Sequence, residues 1–387
     1  MTIEYKIYYD GESATLEELD KIEEIVVEQE VGKVWEARLK IPVCTSDTGV
    51  WEGEDEPARS EFSRVRVEMR VGESGFVPLI DGRIIGQDAE RSPIPGKSMV
   101  TLIVHDDTAL LHVKDETEPH KTEQDSEIAR KILNLPEFDG KPQIDKTDAR
   151  PDTDRPALQQ GTKMKMLRAL ARRNGNFYAY VLPGKEVGKS IGCFKKLPEK
   201  PDETLPTLYM FGENQNLAEF NVRHNASLAS DVEASSLSLR DKTVANSVSK
   251  YRKATLLDKD AATVLSEENQ TKRRLPPGHS DSTDLESATK GAMEKSSFTL
   301  NADGSVLPLC YGGVLSPYRV VPVRLSDSRY STNYVIFKVV HTLNRSNYTQ
   351  SFTMKGNAVA PKKEASASLP QPSASVAVAF NVQGRIF

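Results

Sequence analysis

Alternation of apolar and polar residues with a period of two is the feature that most constrains the fold of this chain. Successive side chains of a strand point to opposite faces, so this pattern predicts strands that bury one face. It is clearest from Trp35 to Ile41 and from Val65 to Val71, and Met99 to Val104 is a further predicted strand. We therefore expect residues 1–111 to form one small antiparallel sheet, twisted or closed into a barrel.

A tight hairpin is predicted within this first block. Asp81-Gly82 lies between the apolar pairs Leu79-Ile80 and Ile84-Ile85. Glycine accepts a positive φ at low cost, as the central residues of short hairpin turns require. The pattern therefore predicts a chain reversal at residues 81–82.

Residues 112–211 have a mixed pattern that predicts an α+β insert. Thr122 with Asp125 fits a capping box ahead of a short helix. A second helix follows Thr162, a good N-cap residue, and ends before Gly175, which suits the position after a helix. The apolar residues that recur with helical spacing are Ile128, Ile132, Leu133, Met164, Leu167, Leu170 and Ala171.

The second helix also carries a basic face. Its cationic residues lie mostly off the apolar stripe and are Lys163, Lys165, Arg168, Arg172 and Arg173. A solvated helix surface is the favoured interpretation, and a polyanion site is the less favoured alternative.

A second β-rich block follows the insert. The strands predicted there are Leu217–Val222, Val232–Leu239, Val321–Leu325, Tyr334–His341 and Asn347–Lys355. The last two are expected to pair as a hairpin through residues 343–346. Residues 246–313 are polar and predict an insert within this block, with a helix around Leu285–Lys295.

Composition excludes several classes of function. A chain of 387 residues exceeds what one core usually supports, so at least two packed units are expected. The 51 basic and 56 acidic residues are mixed along the chain and give a net charge of −5, which argues against nucleic-acid specificity and against a membrane-surface protein. No apolar stretch approaches the ~18 residues of a membrane span, and no secretory signal is recognisable. We expect synthesis in the cytoplasm and no direct membrane insertion.

One segment imitates a phosphate-binding loop. Gly184 to Ser190 follows a predicted strand at Phe177–Leu182, but only three residues separate its glycines and a strand-like segment follows. A phosphate-binding loop needs four intervening residues and then the N-terminus of a helix. A β-hairpin turn is therefore the better interpretation.

The sequence predicts no catalytic, cofactor-binding or metal-binding residues. The three cysteines are far apart, the six histidines are scattered, and no serine lies in a nucleophile elbow. His341 lies in an alternating strand, where a core or interface histidine is the usual outcome. We therefore expect a protein that is not an enzyme.

Several segments together resemble the baseplate hub of contractile tails. This family includes the phage late control protein D proteins and the N-terminal hub part of valine-glycine-repeat spike proteins of secretion and extracellular injection systems. The segments that carry the resemblance, in order, are Ile22–Ile41, Pro78–Ala89 leading into Val100–Leu111, Gln159–Tyr180, and Tyr334–Asn357. Ile80 stands where the family commonly has phenylalanine. The family's positions in the last segment are taken by His341, Tyr348, Phe352 and Asn357.

The resemblance implies a β-rich α+β fold with two tail-tube-like antiparallel β-barrels in one chain. The implied organisation is a first barrel at 1–111, an α+β insert at 112–211, a second barrel at 212–245 and 314–359, and a polar insert at 246–313. It also implies a homotrimer without cofactors that joins a hexameric inner tube to a trimeric central spike. The implied partners are the inner tube protein, the central spike protein and the baseplate wedge proteins, within a phage tail or injection particle.

The segment 360–387 departs from the fused spike proteins, because no Gly/Val-rich repeat occurs there. It reads as a Pro/Ala/Ser/Lys-rich linker followed by an apolar, strand-like stretch at Val376–Val382. Exposed strand-prone segments favour pairing, so we expect this tail to contact the spike or a neighbouring subunit through Phe380, Val382 and Ile386.

Two other functions remain open from the sequence. A tail-tip cell-wall hydrolase would need a cleft with a carboxylate of raised pKa. A receptor- or glycan-binding tail component would need exposed aromatic residues on loops, whereas most of the aromatic residues here lie in strand patterns.

Overall fold

Strands dominate the structure, a computed structural model. It describes residues 2–360 except 46–50, 53–59, 95, 121–123, 139–140, 148–156, 239–241, 252–253, 259–270, 276–281 and 346. The expected β-rich α+β class is confirmed. The tail residues Phe380, Val382 and Ile386 lie outside the described residues, as does the strand predicted at Val376–Val382.

The first β block is an antiparallel run of strands with one short helix. Its elements are β1 Ile3–Tyr9, β2 Glu12–Ser13, α1 Leu16–Asp20, β3 Glu24–Glu30, β4 Glu36–Pro42, β5 Cys44–Thr45, β6 Trp51–Glu52, β7 Arg64–Val71, β8 Val77–Glu90 and β9 Met99–Asp106. The predicted alternation is seen directly in β4, where Ala37, Leu39 and Ile41 are buried. A 3₁₀ helix at Asp107–His112 leads out of the block.

The hairpin predicted at Asp81-Gly82 is wrong. Both residues lie inside the long strand β8, which pairs with β7 on one side and β9 on the other. A Cβ at Gly82 would lie 1.9 Å from the backbone oxygen of His105, so the glycine permits close approach of β9. Asp81 is buried and ion-paired, which explains why a turn-forming dipeptide occurs in mid-strand.

The insert contains two helices and two small sheets. Its elements are β10 Asp115–His120, α2 Asp125–Ile132, β11 Gln143–Ile144, β12 Ala157–Thr162, α3 Lys163–Arg173, β13 Phe177–Pro183 and β14 Ser190–Lys196. The Thr162 side chain caps α3 by accepting from the amide of Lys165 at 3.2 Å, and Gly175 follows α3 with φ of +85°, both as predicted. Gln124, without a side-chain hydrogen bond, is the N-cap of α2, and Thr122 lies outside the described residues.

The second β block contains the remaining elements. They are β15 Leu208–Tyr209, β16 Leu217–His224, β17 Ser230–Ser238, β18 Thr243–Ser249, β19 Thr271–Arg274, α4 Ser282–Ser297, β20 Leu300–Val306, β21 Val320–Arg324, β22 Asn333–Asn344 and β23 Tyr348–Gly356. The hairpin of β22 and β23 and the helix near Leu285 are confirmed. Two details differ from the prediction: β20 arises within the polar segment and joins the main sheet, whereas β17 pairs with β18 and β19 in a separate sheet.

One curled sheet of thirteen strands, antiparallel except where β15 pairs with β21, unites the two β blocks. Its order is β16-β20-β23-β22-β3-β4-β9-β8-β7-β1-β2, with β21 and β15 branching from β22. The blocks meet where β22 pairs with β3, from Lys338 opposite Glu30 to Asn344 opposite Glu24. The sequence analysis did not anticipate this pairing.

Three buried clusters lie beneath these strands. One contains the apolar faces of the first block, one the helices and hairpin of the insert, and one the strands of the second block. Val320, Val335 and Leu343 of the second block belong to the first cluster. Each β block therefore has its own core, and β21 and β22 contribute side chains to both of them.

Candidate functional site

The sequence predicts no catalytic residues, so the candidate functional site consists of two other features. These are the contacts that hold together the three modules of the chain, namely the two β blocks and the insert, and the strand edges that pair with no other strand among the described residues. The backbone pairing of β22 with β3, called the seam below, contains a buried histidine. His341 Nδ1 and the Tyr348 hydroxyl lie 2.8 Å apart. Burial lowers the pKa of His341 to about 3, so its imidazole is neutral at pH 7. His341 is thus a core residue of the seam, the outcome expected from the sequence.

A buried arginine connects the insert to the first block through hydrogen bonds. Arg66 on β7 is 2% exposed and donates to Glu68 at 2.8 Å and to Asp81 at 2.9 Å. It also donates to the backbone oxygens of Gly184 at 2.9 Å and Glu186 at 3.2 Å, in the loop between β13 and β14. A guanidinium can serve several acceptors at once, so one side chain holds two strands of the first block and the loop of the insert.

Further charged groups add to this contact between the first block and the insert, which we call the Arg66 junction. Arg64 donates to Asp81 at 2.6 Å and to Asp107 at 2.7 Å. The amide of Gly188 donates to Asp81 at 2.9 Å, and the Ser190 hydroxyl donates to Asp107 at 2.6 Å. The two aspartates are buried yet fully partnered, which offsets the desolvation of their charges.

Asp106, next to this network, has a different environment. It is buried and accepts from the amide and the hydroxyl of Thr108, each at 3.2 Å. Burial raises its pKa to about 8, and the neighbouring Asp107 adds to the increase. The Asp106 carboxyl is therefore largely protonated at pH 7.

A stack of tyrosines joins all three modules. Tyr318 of the second block stacks on Tyr180 of the insert, with ring centroids 3.6 Å apart and planes 8° from parallel. Its hydroxyl accepts from the amide of Gly32, in the turn between β3 and β4, at 2.8 Å. Desolvation raises the pKa of Tyr318 well above its usual range, so the hydroxyl stays neutral. The contact fixes the two β blocks and the insert at one point.

The curled sheet has open edges among the described residues. The outer side of β1 pairs with β2 only at Tyr8 and Tyr9, and β16 pairs only with β20. On β16 the exposed side chains include Glu219 and Arg223, whereas Phe220 packs against the core of the second block. Unpaired strand edges are templates for pairing with another chain. These edges are therefore the candidate assembly surfaces.

The loop that imitates a phosphate-binding motif is confirmed as a hairpin turn. Residues 184–189 connect β13 and β14, which pair antiparallel from Phe177 opposite Lys196 to Pro183 opposite Ser190. Its backbone oxygens accept from Arg66, so the loop serves the junction. Within the described part of the chain, no group of three or more His, Cys, Asp or Glu side chains is placed to hold a metal ion.

The sequence analysis missed the junction residues, although one signal was available. Arg66 and Glu68 alternate with buried apolar residues, which usually indicates a solvated strand face. Opposite charges two residues apart share one face of a strand, so this pair was recognisable. What was not recognisable is that the insert covers that face.

Solved structures with the same fold include tail proteins. A tail protein from Neisseria meningitidis MC58 gives a TM-score of 0.60 at 13% identity, covering 92% of this chain and 97% of that one. The 43 kDa tail protein of prophage MuSo2 from Shewanella oneidensis gives 0.60 at 13% identity, covering 91% and 98%. An Escherichia coli component of the type VI secretion system, described as structurally similar to bacteriophage T4 tail proteins, gives 0.53 at 10% identity, covering 93% and 77%.

The sequence itself matches no family model and no curated protein. The likeness is therefore one of fold, and the shared fold is that of tail proteins and of a type VI secretion component, in agreement with the resemblance to contractile-tail proteins noted from the residues. In the described part of the chain, no helix combines the length and apolar character needed to cross a bilayer.

Proposed function

We propose that this protein is the structural hub of a contractile-tail baseplate, a trimeric adaptor that joins a hexameric inner tube to a trimeric central spike. The observation that carries the proposal is a fold shared with tail proteins over more than nine-tenths of both chains. The particle would be a phage tail or a phage-derived injection system, assembled from chains made in the cytoplasm. Its other partners would be baseplate wedge proteins.

In this proposal the protein matches the threefold symmetry of the spike to the sixfold symmetry of the tube. We propose two tube-like units, the first at residues 1–111 and the second at 212–245 and 314–359. In this proposal residues 112–211 are the insert, 246–313 lie within the second unit and contribute β20, and 360–387 are the linker and tail. Three chains with two units each would offer six similar surfaces to a sixfold tube. The open edges at β1 and β16 support this arrangement, because a closed ring can pair strand edges that a monomer leaves exposed.

A hub must keep its two units in fixed relative positions while the tail contracts. The seam of β22 with β3 gives a direct backbone connection between the units. The Arg66 junction and the Tyr318 stack then tie the insert to the units at separate points. In this proposal the protein does no bond chemistry, and its function lies in rigid geometry.

The tail supplies a further contact in this proposal. The apolar residues Phe380, Val382 and Ile386 would bind the spike or a neighbouring subunit. A chain truncated after Ala360 should then keep its melting temperature but bind the spike protein at least about tenfold more weakly, a loss of the size expected when a few buried apolar anchors are removed. Unchanged spike affinity on truncation would show that the tail is not the contact.

Electron microscopy of particles lacking the chain tests the proposed role. Deletion of the gene should abolish assembled baseplates, or leave tubes and spikes that do not associate. Complementation with the intact gene is the control. Normal baseplates with attached tubes in the deletion strain would refute the hub function.

A further inference from the structure

A cleft at the meeting point of the three modules is surrounded by positive charge. It has a volume of about 530 Å³ and lies between α3, β13, the end of α4 and the turn that contains Gly32. The cationic residues on its walls are Lys165, Arg168, Arg172 and Lys295. Its apolar lining includes Ala171, Phe177 and Ala179. The volume falls within the ~300–1,000 Å³ of ligand-binding clefts.

The four cationic side chains of this cleft form no ion pairs with a carboxylate within the described part of the chain. Arg168 donates one hydrogen bond to the backbone oxygen of Gly32 at 2.8 Å, and Arg172 donates one to the backbone oxygen of Arg168 at 3.3 Å. Each guanidinium has five N–H donors, so further donors remain for a ligand.

The charges also repel one another. Burial lowers the pKa of Lys295, and the positive charge of Arg172 lowers it further. Burial and the charge of Arg168 likewise lower the pKa of His112, which borders the cleft. A bound anion would relieve this repulsion.

The next arginine of the same helix provides a contrast. Arg173 lies one residue beyond Arg172, turned away from the cleft, and forms an ion pair with Asp125 through two of its nitrogens. Helix α3 is therefore not simply a basic solvated surface, because one of its sides is neutralised by an ion pair and the cleft side forms none among the described residues.

We propose that this cleft binds an acidic peptide segment of a partner protein, in which acidic residues alternate with apolar or small ones. Lys165, Arg168 and Arg172 form one row along α3, about 10.5 Å long at 1.5 Å per residue. Side chains on one face of an extended peptide are spaced by about 6.7 Å, close to the roughly 6 Å between Arg168 and Arg172 along the helix axis. The intervening side chains of the peptide would face the apolar lining.

A nucleic acid fits this site less well. Binding of single strands usually relies on exposed aromatic rings on which bases stack. Two aromatic residues line the cleft, Phe177 and Tyr178. Phe177 is only 4% exposed. Tyr178 packs edge-to-face against Tyr318 with the ammonium of Lys295 5.8 Å above its ring, so neither ring is a free stacking platform. The net charge of −5 on the whole chain also disfavours a long polyanion that extends beyond the cleft.

Fluorescence anisotropy with the purified full chain tests this inference. The probe is a labelled eight-residue peptide in which glutamate alternates with leucine and serine, and the control peptide has glutamine in place of glutamate. The glutamate peptide should bind saturably, more weakly at 300 mM than at 50 mM salt, and the glutamine peptide should not bind. The variant Arg172→Gln/Lys295→Gln should lose about tenfold or more in affinity.

A matched variant separates the cleft from general charge. Lys272 and Arg273 are exposed on β19, so Lys272→Gln/Arg273→Gln removes the same charge elsewhere and should leave affinity within about twofold. If the cleft variant fails to fold, a photo-crosslinking peptide on the unmodified chain should label residues 162–179 or Lys295. Equal losses in both variants, labelling elsewhere, no saturable binding, or tighter binding of a twelve-nucleotide single-stranded DNA would each overturn the inference.

Discussion

Replacement of Arg66 by methionine should destabilise the protein far more than removal of an exposed arginine. Methionine keeps most of the length of the side chain but removes the charge and every donor. The Arg66 guanidinium is 2% exposed and serves Glu68, Asp81 and the backbone oxygens of Gly184 and Glu186. Its loss removes one donor from each of these four acceptors.

The expected magnitude follows from these partners. Asp81 keeps Arg64 and the amide of Gly188, and Glu68 lies at the margin of solvent, so part of the loss is compensated. Breaking a buried ion pair by removing one partner usually costs about 3–5 kcal/mol. We expect a loss in this range, because the Gly184 oxygen also loses the donor it has in Arg66, whereas the Glu186 oxygen keeps the amide of Lys189 at 3.3 Å.

Arg38→Met is the matched control, since Arg38 also lies on a strand and pairs with a glutamate two residues away, at 2.7 Å. Its side chain is 58% exposed, so its loss should cost no more than about 1 kcal/mol. Urea denaturation followed by circular dichroism gives both values. Hydrogen exchange should also increase selectively in residues 184–190 of the Arg66 variant. Equal destabilisation by the two variants, or an unchanged exchange rate in this loop, would refute the role assigned to the junction.

Three further outcomes are expected. Gly82→Ala should destabilise by about 1–3 kcal/mol in thermal or urea unfolding, because its Cβ would meet the backbone of His105, whereas Gly86→Ala in the same strand has open space and should change little; equal effects would contradict this reading of the strand. His341 has a folded pKa of about 3 against 6.5 when unfolded, so its contribution to stability is present above pH 6.5 and is lost as pH falls towards 3. A His341→Gln variant should accordingly have a shallower acid dependence in urea denaturation between pH 6.5 and 4, and an unchanged slope would exclude a neutral buried histidine. Asp106 has a folded pKa of about 8 against 3.8, so its contribution is present below pH 3.8 and is lost as pH rises through 8. Asp106→Asn should remove part of the loss of stability between pH 6 and 8.5, and an identical pH profile would show that the carboxyl is ionised in the fold.

Strands and capped helices could be predicted from the sequence because their causes are local. Burial of one face imposes the alternation of β4 and β9, and Thr162 and Gly175 fit the ends of α3 through their own backbone and side-chain chemistry. These signals do not depend on what the rest of the chain does. For the same reason the hairpin of β22 and β23 was recognisable from two alternating segments and a short polar link.

The remaining features depend on partners far away in the sequence. Gly82 has the residue type of a turn, but its conformation is determined by β9, which approaches its backbone closely. The pairing of β22 with β3 joins residues about 310 positions apart, and no local pattern specifies it. The charges of the Arg66 junction have the pattern of a solvated face because the loop that covers them belongs to the insert.

A reconstruction of the assembled baseplate by electron cryomicroscopy tests the central claim most directly. The account predicts three copies of this chain around the tail axis, with their six β units against the first ring of the inner tube and the spike on the opposite side. Six copies in that ring, or copies that lie away from the axis, would contradict it.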